Sequence, residues 1–413
     1  MIIALAQINP TVGDIAGNAA KILAYYNKAK KQGADIVICP ELSLVGYPPE
    51  DLVLMPSFVK QAMAAAKHLA KKTAKGPALI IGCPWEGGKG KVYHASRGPW
   101  DEKREIYNAA LLLDRGKIMH VAHKVMLPNY SIFDEKRIFT PGVGPHVITW
   151  RGHKLGLLVC EDVWSERLPK ALGKQGAELL IVINASPFET GKLAQRKAIM
   201  AKAVKATRLP LVYVNTVGGQ DDIVFDGGSF ILSAQGKCVL QMREFEEDVA
   251  IVKRGTWNVE PASHATCHVP RSTQESLWRA MSLGLSDYVR KNGFQGVVLG
   301  LSGGIDSALS AAVAADALGA KNVKGVLLPS PYTSKHSIED ALASAKLLGI
   351  ETMNVPIAAG MEIFEEVLSP LFFPPLFPPR LRGGCKGGLD GGCGYRRQRA
   401  GAAAWHDADG DLQ

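Results

Sequence analysis

Seven short apolar runs punctuate the first 250 or so residues and constrain the fold more than any other feature. IIALAQI, ADIVICP, ALIIGCP, AALLLD, LGLLVC, ELLIVIN and LPLVYVN are rich in Ile, Val and Leu and are bounded by Gly, Pro or charge. Runs of that length and composition read as buried strands. Amphipathic segments such as NAAKILAYYNKAKKQGA and RKAIMAKAVKATR lie between several of them. The combination predicts a layered α/β domain over residues 1–253, with helices covering sheet.

The pattern stops at RGTWNVEPASHATCHVPR, residues 254–271, which has no periodicity and carries Pro, Ser and His. This stretch reads as an interdomain linker. A long helix follows, STQESLWRAMSLGLSDYVRKNGF, opened by a Ser-Thr cap. Next come a strand (GVVLGL), a Gly-rich turn, a helix (DSALSAAVAADALGA) and a strand (VKGVLLP). That order is a βαβ unit of a parallel, doubly wound sheet, here over 272–371. Two clear strands are few for such a sheet, so the second domain reads as partial. Residues 372–413 are crowded with Pro, Gly and Arg and read as a disordered low-complexity tail.

Charge and cysteine usage narrow the function classes. Lys and Arg number 48 against 39 Asp and Glu, a net +9. That excess suits anionic small molecules such as nucleotides and does not mark a nucleic-acid binder. No apolar run approaches the roughly 18 residues a membrane helix needs. The start, MIIALAQINPTVGD, lacks a basic leader region and reads as a first strand. The seven cysteines are scattered and include no CxxC pair. The expectation is a cytoplasmic protein with no disulfide framework, no zinc site and no membrane contact.

Three polar residues stand at the ends of apolar strands: Glu41 after DIVICP, Lys124 after IMHVAH, and Cys160 at the end of LGLLVC. A thiol at the entry to a helix over EDVWSERLPKALGKQG would meet N–H groups that favour a thiolate. A nearby ammonium would lower the thiol pKa further, and a carboxylate could take its proton. Such a trio suits acyl transfer from an amide or nitrile: Cys attacks carbon, Glu carries the proton to ammonia, and Lys with a backbone N–H holds the oxyanion. Taken singly, Cys160 also reads as a buried small hydrophobe, Glu41 as a helix-start acid and Lys124 as a solvated charge. Spacing alone does not show that the three meet.

The segments ICPELSLVGYPPEDL, HKVMLPNYSIFDEKRIFTPG and LLVCEDVW resemble, in order, the three signature blocks of the nitrilase (carbon–nitrogen hydrolase) superfamily. The resemblance implies an αββα sandwich with Glu41 as general base, Lys124 as oxyanion stabiliser and Cys160 as nucleophile. The stretch is most similar to the glutaminase domain of glutamine-dependent NAD synthetases. By that likeness Tyr130, Ser186 and Lys192 contact glutamine. Without it, NASPF around Ser186 reads as a plain strand-end turn.

LGLSGGIDSA, residues 299–308, follows a strand and opens a helix. Gly303 and Gly304 permit a tight turn close to an anion, Ser302 and Ser307 add hydroxyl donors, and the helix start supplies free N–H groups. It is not a Walker loop, which needs GxxxxGK[ST]. SGGxDS resembles the PP-loop of ATP pyrophosphatases, which implies ATP contacts from Gly300, Leu301, Ser302, Gly303, Gly304, Ile305, Asp306 and Ser307. Asp306 is placed either to bind Mg2+ beside the pyrophosphate or to cap the helix. LLPSPYTSKHSIEDA resembles the stretch that lies by adenine in NAD synthetases.

A nitrilase-type glutaminase joined to SGGIDS implies glutamine, ATP and deamido-NAD as substrates, Mg2+ as the metal and no organic prosthetic group. It implies a ligase in which ammonia from glutamine crosses an internal tunnel to an adenylated deamido-NAD, giving NAD, AMP and pyrophosphate. The family also implies a homo-oligomer. The resemblance stops near Leu371, and a TGNKSE-like loop is absent. The tail has the composition expected of a shifted reading frame on a GC-rich gene. Two other readings stay open: a stand-alone amidase with a degenerate appendage, and a PP-loop protein acting on RNA. The second lacks an aromatic-plus-basic stripe.

Overall fold

The computed structural model describes residues 1–87, 105–145, 147–256 and 273–372. Most of the expected linker (257–271) and all of the tail beyond 372, with Cys267, Cys385 and Cys393, lie outside the described residues.

The chain begins with β1 (Ile2–Gln7), α1 (Ile15–Lys31), β2 (Ile36–Ile38), α2 (Pro56–Lys72), β3 (Ala78–Glu86), β4 (Ile106–Asp114) and β5 (Lys117–His123). A short α3 (Glu135–Ile138) leads to β6 (Val147–Trp150), β7 (His153–Val159), α4 (Arg167–Lys174), β8 (Leu179–Asn184), α5 (Lys192–Thr207) and β9 (Leu211–Asn215). Then come β10 (Val217–Gln220), β11 (Ile223–Asp226), β12 (Phe230–Leu232), β13 (Cys238–Gln241) and β14 (Asp248–Lys253). Two six-stranded sheets result, ordered β14-β1-β2-β3-β4-β5 and β13-β12-β9-β8-β7-β6. The hairpin β10–β11 stands apart from both as a two-stranded sheet.

The alternation of side chains along each strand builds four layers. Ile3 and Leu5 of β1, with Leu179, Ile181 and Ile183 of β8, fill the core between the sheets. Ala4 and Ala6 of β1 turn the other way, onto Ile22, Tyr26 and Ala66 of α1 and α2. Leu180 and Val182 of β8 turn onto Leu168, Met200 and Val204 of α4 and α5. Both faces of the central strands are covered, so their sequences are continuously apolar. The architecture is the αββα sandwich.

A second sheet system follows: α6 (Thr273–Lys291), β15 (Val297–Gly300), α7 (Ile305–Leu318), β16 (Val323–Leu327), α8 (Lys335–Leu348) and β17 (Glu351–Asn354). The three strands are parallel, in the order β15-β16-β17. β17 has no apolar run (ETMN), so the sequence showed only two clear strands here. A small core of Leu301, Ala311, Ala314, Val323, Leu327, Ala341 and Ile350 holds this part together. Residues Met1–Pro356 form one compact unit, and Ile357 begins another, in which α9 (Ala358–Phe372) is described.

Candidate active site

Glu41, Lys124 and Cys160 come from three distant stretches and meet at one end of the sandwich. Lys124 Nζ donates to Glu41 Oε1 at 2.7 Å, and both side chains are fully buried. Asn108 Nδ2 donates to the same oxygen at 2.7 Å, and the Ala185 backbone N–H donates to Glu41 Oε2 at 2.8 Å. Both oxygens of Glu41 are thereby fixed. Lys124 is a core residue and not a solvated charge.

A third charged group completes the cluster. Glu135, at the start of α3, accepts from Lys124 Nζ at 2.8 Å and from the Tyr47 hydroxyl at 2.8 Å. Nothing in the spacing singled it out, because FDEKRIF looks like a charged helix start. Its Oε2 is buried without a hydrogen-bond partner. Burial, with Glu41 reinforcing it, raises Glu135 to about 7, although the Lys124 ammonium acts the other way.

Cys160 follows directly on β7 and takes φ +47°, a left-handed conformation that is strained for a non-glycine residue. It begins a four-residue 3₁₀ turn, Cys160–Val163, and α4 does not start until Arg167. The expected α-helix over 161–176 is therefore broken, and its start is not at the thiol. Burial pushes the Cys160 thiol well above the usual range, Glu41 adds to the rise, and Lys124 opposes it. The expectation of a thiol lowered by a helix end is corrected accordingly. Burial therefore favours the neutral thiol over the thiolate at Cys160.

Asp162 holds two of these strand ends together. Its Oδ1 accepts from the Val125 and Met126 N–H groups at 2.9 and 2.8 Å, and its Oδ2 from Val159 N–H at 3.0 Å. The residue after Lys124 and the residue before Cys160 thus share one buried carboxylate. The sequence placed Asp162 beside Cys160 but gave no sign of this bridge.

Cys160 opens into a cavity of about 470 Å³. Tyr130, Ser186 and Lys192 all line it, with Glu161, Phe188 and Asp222 among the other walls. The Tyr130 hydroxyl donates to Glu161 Oε2 at 3.0 Å. Lys192 pairs with Glu189 at 3.0 Å and lies over the Trp164 ring. Ser186 Oγ accepts from Arg196 Nε at 3.0 Å, and Arg196 is itself paired with Asp226 in the buried interior. The cavity therefore offers carboxylates, an ammonium and hydroxyls above a buried thiol, groups that can pair with both charges of a zwitterion.

The Gly-rich turn lies between β15 and α7, beside a second cavity of about 510 Å³. Gly300, Leu301 and Ser302 line that cavity, together with Tyr332, Thr333, Ser334 and Ser337. Gly303, Gly304, Ile305, Asp306 and Ser307 are not in its walls; they form the adjoining turn and the first turn of α7. Ser302 Oγ accepts from Gly304 N–H at 3.3 Å, and Ser307 Oγ donates to Gly304 O at 2.9 Å. No side chain caps α7, so its first N–H groups face outward, as an anion requires. Gly303 has φ +80°, and a Cβ there would stand 2.2 Å from Ser337 O. Asp306 is exposed in that first turn and does not cap it.

Known proteins are similar to this chain in sequence and fold. The carbon–nitrogen hydrolase family pattern matches residues 2–256, and the NAD synthase pattern matches residues 277–372. The glutamine-dependent NAD(+) synthetase of Synechocystis sp. is 40% identical over 381 residues, covering 90% of this chain and 67% of that protein. A glutamine-dependent NAD+ synthetase from Acinetobacter baumannii, solved with ADP, is 38% identical with a TM-score of 0.82, covering 91% of this chain and 68% of that one. An amidase variant from Nesterenkonia sp. AN1, solved with acrylamide added at its active-site cysteine, is 27% identical with a TM-score of 0.51, covering 61% of this chain and 92% of that one. The chain spans about two thirds of the length of the curated relatives it matches. With both segments matched in order and the charged cluster in place, the chain belongs to the carbon–nitrogen hydrolase family and, within it, to the glutamine-dependent NAD(+) synthetases.

Proposed function

We propose that the chain carries out glutamine-dependent NAD+ synthesis, with Cys160 as nucleophile, Glu41 as general base and Lys124 as oxyanion stabiliser. The buried contact of Lys124 with Glu41 behind Cys160 carries the reading, because it sets a proton acceptor and a cation beside a thiol facing a polar cavity. Cys160 Sγ attacks the side-chain amide carbon of glutamine while Glu41 takes the thiol proton. Lys124 faces the oxygen as its charge develops, and Glu41 returns the proton to the departing ammonia. Water, deprotonated by Glu41, then cleaves the thioester and releases glutamate. Tyr130, Ser186 and Lys192 hold the α-amino and α-carboxylate groups.

ATP occupies the second cavity, with its phosphates against Ser302, Ser307 and the N–H groups that open α7. Among the described residues there is no cluster of three potential metal ligands. Mg2+ takes one or two carboxylates and completes its shell with phosphate oxygens and water. Asp306, exposed in the first turn of α7, would hold it, and the ion would offset phosphate charge. The deamido-NAD carboxylate attacks the α-phosphorus of ATP and releases pyrophosphate; ammonia then attacks the acyl carbon of this mixed anhydride and displaces AMP, giving NAD. We place the enzyme in the cytoplasm, as a homo-oligomer, by its likeness to the NAD(+) synthetases.

The deciding experiment incubates the chain with glutamine, ATP, Mg2+ and deamido-NAD and reads glutamate and NAD separately. Both products are expected. Glutamate without NAD would assign amide hydrolysis alone to this chain, and the absence of both products would overturn the proposal.

A further inference from the structure

The hairpin β10–β11 has two neighbours. On one side, Asp222, Ile223 and Val224 form part of the wall of the cavity over Cys160. Val224 O also accepts from Phe188 N–H at 2.7 Å, and Phe188 lines the same cavity. On the other side lies α6, the first helix of the nucleotide-binding segment. The two touch almost backbone to backbone: a Cβ on Gly219 would stand 2.8 Å from Gly284 Cα, and one on Gly284 would stand 3.0 Å from Val224 Cγ2. Helix α6 therefore presses on a residue of the cavity wall.

A polar latch fixes this contact. Asp287 Oδ2 accepts from Gly219 N–H and from Asn9 Nδ2, both at 2.6 Å. Lys291, one helical turn on, donates to Gly219 O at 2.8 Å, Asn9 Oδ1 at 2.7 Å and Pro10 O at 3.0 Å. Both hydrogen-bonding groups of Gly219 are thus held by α6. The Asp287 and Lys291 side chains are 12% and 14% exposed and 3.7 Å apart. A helix could cover a hairpin with apolar side chains alone. Charged groups aimed at one residue's N–H and C=O instead set a single register between helix and hairpin.

We propose that Asp287 and Lys291 are positioning residues for the amide-hydrolysing site: they fix hairpin β10–β11, and through Val224 and Phe188 they set the wall against which the substrate amino acid packs. The proposal rests on glutamine being that substrate. It makes the fit of glutamine depend on a helix that belongs to the nucleotide-binding segment.

The test uses the full chain, four variants of the contact and one control variant, with glutamine hydrolysis as the assay. Asp287→Ala removes the acceptor, and Lys291→Met removes the donor. Gly284→Ala strengthens α6 locally but crowds Val224. Asp287→Asn keeps an acceptor oxygen. The expected result is a KM for glutamine raised about tenfold in the first three with kcat within about twofold, the pattern of lost ground-state binding. Asp287→Asn should recover most of the KM. Arg290→Ala, on the exposed side of the same helix, serves as a control and should match the parent. A parental KM in all of the first three would overturn the proposal. Amide hydrogen exchange of the 217–226 peptide, measured by mass spectrometry, reads positioning without any substrate. Faster exchange in Asp287→Ala and Lys291→Met is expected, and unchanged exchange would sink the proposal even if glutamine proves not to be the substrate. A parent chain that leaves glutamine intact would count against the substrate reading alone.

Discussion

Lys124 Nζ and Glu41 Oε1 lie 2.7 Å apart with neither side chain exposed to solvent. Glu135 shares the same ammonium, so one cation balances two carboxylates in a dry site. Such a cluster is a poor way to stabilise a fold, and its retention fits a chemical role better than a structural one. Lys124→Met strands both carboxylates. The expected loss is about 3–5 kcal/mol of unfolding free energy, as for other broken buried pairs, together with loss of glutamate release. Denaturant titration and a glutamate assay check the two parts. Parental stability in this variant would mean that the carboxylates take up protons at little cost.

Glu135 gives the cluster a pH signature. Its folded pKa is raised from 4.5 to about 7, so the folded state holds this proton more tightly than the unfolded chain does. Its contribution to stability is complete below pH 4.5 and is lost as pH rises through about 7. Glu135→Gln removes that dependence while keeping an acceptor for Lys124. Unfolding midpoints of the parent relative to this variant should therefore fall between those two pH values. A constant difference across the window would argue that Glu135 is ionised throughout.

Most of the sandwich was legible in the sequence because its central strands are buried on both faces. ELLIVIN and LGLLVC had no way to look polar. What stayed hidden was short or polar: β17 (ETMN), and the hairpin β10–β11, whose VGGQ carries two glycines where α6 must come close. In the site, Glu41, Lys124 and Cys160 stood out as polar residues at the ends of apolar strands. Glu135 and Asp162 did not, because their roles depend on partners distant in the chain: Tyr47 for one, Val125 and Met126 for the other. The raised Cys160 thiol was hidden for the same reason, since it follows from burial beside Glu41.

Cys160 is small, buried and strained, which separates its chemistry from its structural weight. Cys160→Ala removes the sulfur and keeps the backbone. Glutamate release should fall by at least about a thousandfold, as when a nucleophile is deleted from a hydrolase. Thermal unfolding should shift only slightly, because the side chain fills little volume. Substantial residual hydrolysis would place the nucleophile elsewhere.

Gly303 tests the second cavity independently of the first. Its φ of +80° opposes any side chain, and so does Ser337 O, which would lie only 2.2 Å from a Cβ at this position. Left-handed backbone costs a non-glycine residue about 1–2 kcal/mol, and the clash would also displace the start of α8. Gly303→Ala should weaken ATP binding by about tenfold or more, measured by calorimetry. Glutamine hydrolysis should stay at the parental rate, since the turn takes no part in the cavity over Cys160.

Ser186 owes its orientation to Arg196, and the two make separable contributions. Arg196 Nε donates to Ser186 Oγ, Nη2 donates to Ser186 O and Pro187 O, and Nη1 bonds both oxygens of Asp226 at 2.7 and 2.9 Å. Arg196 thereby fixes Ser186 Oγ at the edge of the cavity, next to the buried Tyr213 phenol. Ser186→Ala removes the hydrogen bond proposed to glutamine and leaves the Arg196–Asp226 pair intact. A lost bond of about 1.4 kcal/mol corresponds to a tenfold rise in KM, with stability close to the parent. Arg196→Met instead leaves Asp226 unpaired in the core, and should cost about 3–5 kcal/mol of stability besides weakening binding. Steady-state kinetics and denaturant titration on both variants separate a substrate contact from its support. If Ser186→Ala binds glutamine as the parent does, Ser186 is only a strand-end turn, and Arg196 serves the fold alone.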